Sequence, residues 1–186
     1  MNPILMDIRT ELETERLMLR MPEPGDGKVI NKAIHSSMEE LAPWVGFARK
    51  NPTVEDTEIN VREAHIKFLK REGLRFLIFE KETGEYVGTT GLHNLDWDVP
   101  KSEIGYWINT KYSGKGYMME AVGRLTEFAE KELNMKRLEI QCDVGNKKSR
   151  AVPERLDYTL EAILKNDDVR LDDSGLTDTC IYAKVF

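Results

Sequence analysis

Lys111-Tyr112-Ser113-Gly114-Lys115-Gly116-Tyr117-Met118-Met119-Glu120-Ala121 joins two segments of different hydrophobic period. Before it, Glu103 to Ile108 sets Ile104, Tyr106 and Ile108 on one face and Glu103, Gly105 and Trp107 on the other, the two-residue period of a strand. After it, Met118, Val122, Leu125, Ala129 and Leu133 recur at steps of four and three, the stripe of a buried helix starting near Gly114. Glycines at such a junction allow unusual backbone angles and close ligand approach. The first amides of a helix have no internal partner, and the helix dipole adds partial positive charge. The junction therefore reads as an anion site suited to phosphate, with Lys111 and Lys115 adding charge. Met119 stands where a dinucleotide fingerprint needs its last glycine, and the Walker pattern is also absent. A tight strand-to-helix turn would use the same two glycines without any ligand.

Further out, Leu17 and Leu19 alternate in a short strand at Arg16 to Arg20, which Pro22-Glu23-Pro24-Gly25-Asp26 breaks. A polar helical region follows to about Leu41, before Pro43. Thr53, with Asp56 three residues on, predicts a helix start; the helix runs to Gly73 with Val61, Ala64 and Phe68 on one face. Arg75 to Lys81 and Tyr86 to Leu95 read as a hairpin turning at Glu82 to Glu85. Leu138 to Val144 alternates as a strand, Asn146 to Arg155 is a short helix, and Tyr158 to Leu164 and Thr179 to Phe186 are closing strands. This order predicts a single α/β (α+β) domain over residues 1–186, with a mixed, mostly antiparallel sheet flanked by helices.

The chain has 186 residues, 40% hydrophobic and 32% charged, a globular balance. No apolar run approaches the ~18 residues of a membrane span. Asp7, Arg9, Glu11 and Glu13 interrupt the N-terminal apolar residues, so no signal-peptide core is expected. Cys142 and Cys180 are the only cysteines and have no CxxC partner, so neither a zinc site nor any other metal site is expected. A reduced cytoplasmic protein is the simplest reading. The net charge of -6, without a Lys/Arg stripe, argues against direct nucleic-acid binding. Oligomeric state is left open, a homo-oligomer included.

Lys111 to Ala121 resembles the acetyl-CoA loop of the GNAT superfamily, whose pattern is Gln/Arg-x-x-Gly-x-Gly/Ala, with Lys111 in place of the usual first residue. Four segments agree in order: Thr14-Glu15-Arg16-Leu17-x-Leu19-Arg20, Glu103-Ile104-Gly105-Tyr106-Trp107-Ile108, Asn146-x-x-Ser149-Arg150-Ala151-Val152 and Asp178-x-x-x-Tyr182. Together they resemble the RimJ/RimL-like branch of ribosomal-protein N-terminal acetyltransferases, over roughly residues 10 to 186.

The resemblance implies acetyl transfer from acetyl-CoA, as cosubstrate, to a primary amine. That amine is a ribosomal protein N-terminus, or a small amine such as an aminoglycoside, amino acid or polyamine. A non-catalytic acyl-CoA-binding domain is the alternative. It also implies that the Glu103–Ile108 strand splays from the Leu138–Val144 strand, with the pantetheine arm in the gap pairing with the backbone of Trp107 and Ile108. Lys111, Ser113, Gly114, Lys115, Gly116, Tyr117 and Met118 would hold the pyrophosphate, mainly through amides. Asn146 would bond the cofactor arm and Ser149 would face the thiol as proton donor, although both also suit a plain helix start. Pro153, lacking an N–H, puts Ser149 either at a helix distortion or ahead of the helix.

Glu103, at a central strand, is a candidate base if partly buried. Asp168 is another: it lies 19 residues after Ser149, where Rim-type enzymes tend to carry an acidic residue, and otherwise belongs to a solvated acidic loop. His93, near a strand end, is a further catalytic candidate, whereas His65 reads as structural. Trp44 and Phe47 could line an acceptor pocket or cap the core. Asp157-Tyr158 stands where the family has Gly-Phe, so the turn there is expected to be reshaped.

Overall fold

The computed structural model describes residues 2–186. A 3-10 turn at Pro3–Leu5 leads to β1 (Glu11–Glu13) and β2 (Leu17–Arg20). Three helices follow, α1 (Gly27–Ser36), α2 (Met38–Leu41) and α3 (Gly46–Arg49), then the long α4 (Val54–Lys70). Next come β3 (Leu74–Glu80), β4 (Tyr86–Asp96), β5 (Lys101–Ile108) and α5 (Tyr117–Lys131). The chain closes with β6 (Arg137–Asp143), α6 (Lys147–Arg155), β7 (Thr159–Val169) and β8 (Leu176–Val185). All strands form one sheet in the order β1-β2-β3-β4-β5-β6-β8-β7. Only the β5–β6 pair is parallel. No helix among the described residues is long and apolar enough to cross a membrane.

Strand alternation divides the core. Leu74, Phe76 and Ile78 of β3 join the large cluster with Val122, Leu125 and Phe128 of α5. Leu77, between them, joins Ile30 and Ile34 of α1 and Val61 of α4 in a smaller cluster on the other face. Phe68, Phe76 and Phe128 meet edge to face at centroid distances of 5.3 and 6.0 Å. Each is fully buried and worth about 1.5–3 kcal/mol in burial alone. The expected stripe of α5 is buried throughout, with Leu133 just beyond the helix.

Several boundaries differ from the sequence expectation for identifiable reasons. The helix expected near Gly114 begins at Tyr117, because Gly114 and Gly116 both take φ of 80°, which no right-handed helix contains. Thr53 and Asp56 do form a reciprocal capping box, but α4 stops at Lys70 because Arg71 turns left-handed at φ 64°. The polar helical region up to Leu41 is two pieces, α1 and α2, not one, and α3 follows beyond Pro43. The N-terminal segment contributes an unforeseen edge strand, β1, whose Leu12 is buried. The acidic stretch at 166–168 lies inside β7, which runs to Val169 with an irregular register.

The feature that positions the site is the β5–β6 pair. Its ladder consists of Lys101↔Arg137, Ser102↔Leu138 and Glu103↔Glu139, and then ends. β5 continues to Ile108 paired only with β4, and β6 to Asp143 paired only with β8. The sheet therefore splits in its middle from residue 104 onward.

Candidate active site

The loop from 111 to 119 lies beyond the end of β5. The amides of residues 114 to 119 have no acceptor among the described residues. They lead into α5, whose N-cap Gly116 supplies no capping side chain. A Cβ at Gly114 would meet nothing within 4 Å, so the turn is open on its outer side. Consecutive free amides at a helix start form an anion cradle.

The cradle is fixed from a distant segment. Arg16 reaches across to the Lys115 carbonyl at 3.1 Å and to Glu120 at 2.7 Å, and its guanidinium lies 4.4 Å from the Tyr117 ring centre. The backbone N–H of Arg16 and the Thr14 hydroxyl also donate to Glu120. Burial pulls the Glu120 carboxyl upward, but these hydrogen bonds and the Arg16 charge outweigh it and hold it below the ordinary range. The Thr14–Arg16 and Glu120 motifs, 104 residues apart in the case of Arg16 and Glu120, are thus one device. Lys111 and Tyr112 both donate to Glu85, so the Lys111 charge is already engaged. Lys115 has no carboxylate within 4 Å among the described residues.

The split between β5 and β6 runs from this cradle toward α6. On one side lies the free edge of β5, including the backbone of Trp107 and Ile108. On the other, Asn146 caps α6, its Oδ1 accepting the Ser149 N–H at 3.1 Å. Its side-chain N–H groups have no acceptor among the described residues and face the cleft. Ser149 is half-buried, its hydroxyl between the Tyr106 hydroxyl, at 3.4 Å, and the Cys142 thiol. Burial pushes Cys142 up to about 12, so it is a neutral thiol.

Tyr106 is the site residue the sequence reading missed. Pro153 lies inside α6 and has no N–H to offer the Ser149 carbonyl four residues back. The Tyr106 hydroxyl takes that place, donating to the Ser149 carbonyl at 2.7 Å. Pro153 and Tyr106 together anchor Ser149, which lines the cleft. Burial raises the Tyr106 phenol far above its ordinary value, so it stays neutral. Pro153 four residues after Ser149 was the available signal; the strand-face alternation of Tyr106 named no partner.

On the opposite face of the sheet a cleft of about 1170 Å³ opens beside the split. Trp44, Phe47 and Trp107 line it, with Phe47 and Trp107 edge to face at 5.8 Å. The Glu103 side chain is only 19% exposed, accepts a hydrogen bond from Asn94 at 3.0 Å, and lies 3.6 Å from His93 Nε2. Gly105 makes room for that imidazole, since a Cβ there would stand 3.0 Å from His93 Nε2. His65 is held instead by the Pro22 carbonyl at 2.7 Å, outside the cleft.

Asp168 is not brought into this arrangement. It is exposed on β7, its carboxylate accepts the Val169 N–H, and it does not line the cleft. β7 is the sheet's edge strand, separated from β6 by β8, which carries Asp168 away from Ser149. Asp157 adopts φ 58°, the left-handed angle a glycine would supply, so the turn keeps its shape. Tyr158 is buried and its hydroxyl meets that of Thr126 at 2.7 Å.

The free amides and uncommitted Lys115, followed by a strand edge with no neighbour, fit a phosphorylated cosubstrate with an extended amide-bearing arm. The comparisons with known proteins agree. The model of the acetyltransferase (GNAT) domain family matches residues 16–159. The chain is 35% identical over 150 residues to "Putative ribosomal N-acetyltransferase YdaF" of Bacillus subtilis (strain 168), covering 79% of this chain and 80% of that one. It is 25% identical over 148 residues to the ribosomal-protein-serine acetyltransferase of Escherichia coli (strain K12), covering 80% and 79%. Among solved structures, RimL, the ribosomal L7/L12 alpha-N-protein acetyltransferase in complex with coenzyme A, superimposes with a TM-score of 0.86 at 21% identity, covering 93% of this chain and 96% of that one. The fold with its split sheet is that of an acetyl-CoA-dependent N-acetyltransferase, and the chain belongs to the GNAT family.

Proposed function

We propose that residues 1–186 act as one acyl-CoA N-acyltransferase domain that acetylates the N-terminal amine of a protein, a ribosomal protein being the acceptor class. The observation that carries this reading is that Ser149, beside the split between β5 and β6, lines the same broad cleft as Trp44, Phe47 and Trp107. The narrow gap between β5 and β6 suits the pantetheine arm, and the broad cleft beyond it has room for a peptide end. The names of the two relatives support the ribosomal acceptor.

Acetyl-CoA supplies the activated acyl group as a thioester. The amides of residues 114 to 119 and Lys115 hold its phosphates, while Trp107 and Ile108 present backbone to the arm and Asn146 donates to it from across the gap. An acceptor α-amine has an unperturbed pKa near ~8, so it needs only modest help to lose a proton. Glu103 and His93 face the cleft and take that proton. Ser149 gives its hydroxyl proton to the leaving thiolate and takes one back from the acylated nitrogen as the tetrahedral intermediate collapses, with the neutral Tyr106 fixing its position.

The test is mass spectrometry of products after incubation with acetyl-CoA and a library of ribosomal-protein N-terminal peptides, aminoglycosides, amino acids and polyamines. Acetylated peptide N-termini are expected. Turnover of a small amine with no peptide product moves the acceptor class. Acetyl-CoA binding without thiol release for any amine makes the chain a binder only.

A further inference from the structure

Three cross-strand partners run in a row across the cleft face of the sheet: Arg75 on β3, Gly91 on β4 and Gly105 on β5. Directly paired residues in antiparallel strands point to the same face. The two glycines therefore put no side chain of their own into the trough between Arg75 and the split in the sheet; Gly91 lies close against the β3 backbone, and the His93 imidazole fills the space over Gly105. Leu77, Thr89 and Trp107 form one wall, and His93 and Glu103 form the other. With strands about 4.8 Å apart, Arg75 stands roughly 10 Å from Gly105 along the trough.

Arg75 has no carboxylate within 4 Å among the described residues. Its Nη1 donates to Asn60 Oδ1 at 2.6 Å, which orients the guanidinium, and its other N–H groups have no acceptor among the described residues. A half-buried guanidinium left unpaired in a cleft is a site for an anion, since its fork matches a carboxylate. Burial depresses Arg75, and the charge of Glu63 on α4 only partly offsets this. The remaining carboxylates of the cleft are Asp56, closed in its capping box, Glu72, Glu103 beside His93, and Asp143, which accepts the Gly145 N–H; none pairs with Arg75 within 4 Å among the described residues.

We propose that Arg75 is the acceptor-selecting residue of this cleft, binding a carboxylate on an amine acceptor whose reacting nitrogen lies at the Glu103–Ser149 end of the trough. At ~3.3–3.6 Å per extended residue, that carboxylate belongs to one of the first three residues of a peptide, or to a free amino acid. This rests on the acetyl-transfer reading above.

The test compares kcat/KM for peptide pairs differing only by Glu or Gln at the second or third position, and for free amino acids against their amides. Wild type should favour a carboxylate at least tenfold, mainly in KM. Arg75→Gln, which keeps a partner for Asn60, should erase the preference without changing acetyl-CoA affinity. Arg75→Glu should turn it toward a Lys-bearing peptide, and Glu63→Gln should strengthen it. A preference for peptide pairs or for free amino acids decides which source the carboxylate comes from. Equal rates for acid and amide in wild type, or a preference that survives Arg75→Gln, overturn the assignment while leaving acetyl transfer intact. If no amine is acetylated at all, the acetyl-transfer reading fails and this one with it.

Discussion

Tyr106→Phe tests the anchoring of Ser149, and its effect should depend on Pro153, a residue to which Tyr106 makes no hydrogen bond. The phenol supplies the hydrogen bond that Pro153 denies to the Ser149 carbonyl. Deleting a partner from a buried carbonyl costs about 1–3 kcal/mol. Ser149 is half-buried, so water recovers part of this and about 1–2 kcal/mol is expected. In a chain of this size, that lowers Tm by roughly 2–8 °C. Pro153→Ala restores a backbone N–H four residues after Ser149, so the same Tyr106→Phe change should cost about half as much there. The coupling, about 1 kcal/mol, lies within the range for residues sharing a partner. Urea and thermal melts of the four proteins in the cycle measure it, with turnover and acetyl-CoA affinity read alongside. Tyr106→Phe should lower kcat and leave affinity nearly unchanged, because the shifted residue is Ser149 and not the phosphate cradle. An equal loss in both backgrounds would refute the argument.

Ser149→Ala should cut turnover by roughly 10²-fold with acetyl-CoA affinity nearly unchanged, and Ser149→Cys should recover part of it; a lower melting point with normal turnover would leave Ser149 only a helix residue. Gly116→Ala has room for its methyl, 3.5 Å from Arg16, so only the left-handed strain of about 1–2 kcal/mol remains, divided between stability and acetyl-CoA affinity; calorimetry and melts that both match wild type would take the loop out of the site. Because Glu120 is held low in the fold, its stabilisation is complete above the unfolded carboxyl value of about 4.3 and fades as pH falls through the folded value. The Tm gap between wild type and Glu120→Gln should therefore be wide at pH 7 and close in acid; a gap of constant size would point to packing instead. Ile108→Val should leave acetyl-CoA affinity nearly intact in calorimetry, since the backbone makes the contact, and a large loss at unchanged Tm would assign the contact to the side chain.

What the sequence made legible was mostly local. The Thr53–Asp56 box, the stripe from Met118 to Leu133 and the hairpin between β3 and β4 each follow from residues within a few positions of one another. β1 was not legible because a three-residue edge strand carries too few alternations to establish a period. The Arg16–Glu120 clasp was visible only as two separate motifs, since nothing in either names its partner. Asp168 was placed by its spacing from Ser149, and spacing along a chain says nothing about which side of an intervening strand it will occupy. Arg75 was only the first residue of a hairpin strand, and the register opposite Gly91 and Gly105 gave it a cleft to face.

The split between β5 and β6 marks the limit of a pattern-based reading most clearly. Alternation from Ile104 to Ile108 reports which face each side chain takes, and it is the same whether or not the strand has a second neighbour. The missing neighbour concerns the backbone, whose unpaired N–H and C=O groups are costly to bury and so must meet water or a ligand. A sheet left to itself would gain hydrogen bonds by closing such a gap. Here a side chain spans the gap in place of backbone pairing: Tyr106, projecting from β5, donates to the Ser149 carbonyl at the start of α6. The proline that removes one hydrogen bond from α6 thereby frees the acceptor that this phenol takes, and the serine carrying that acceptor lines the cleft.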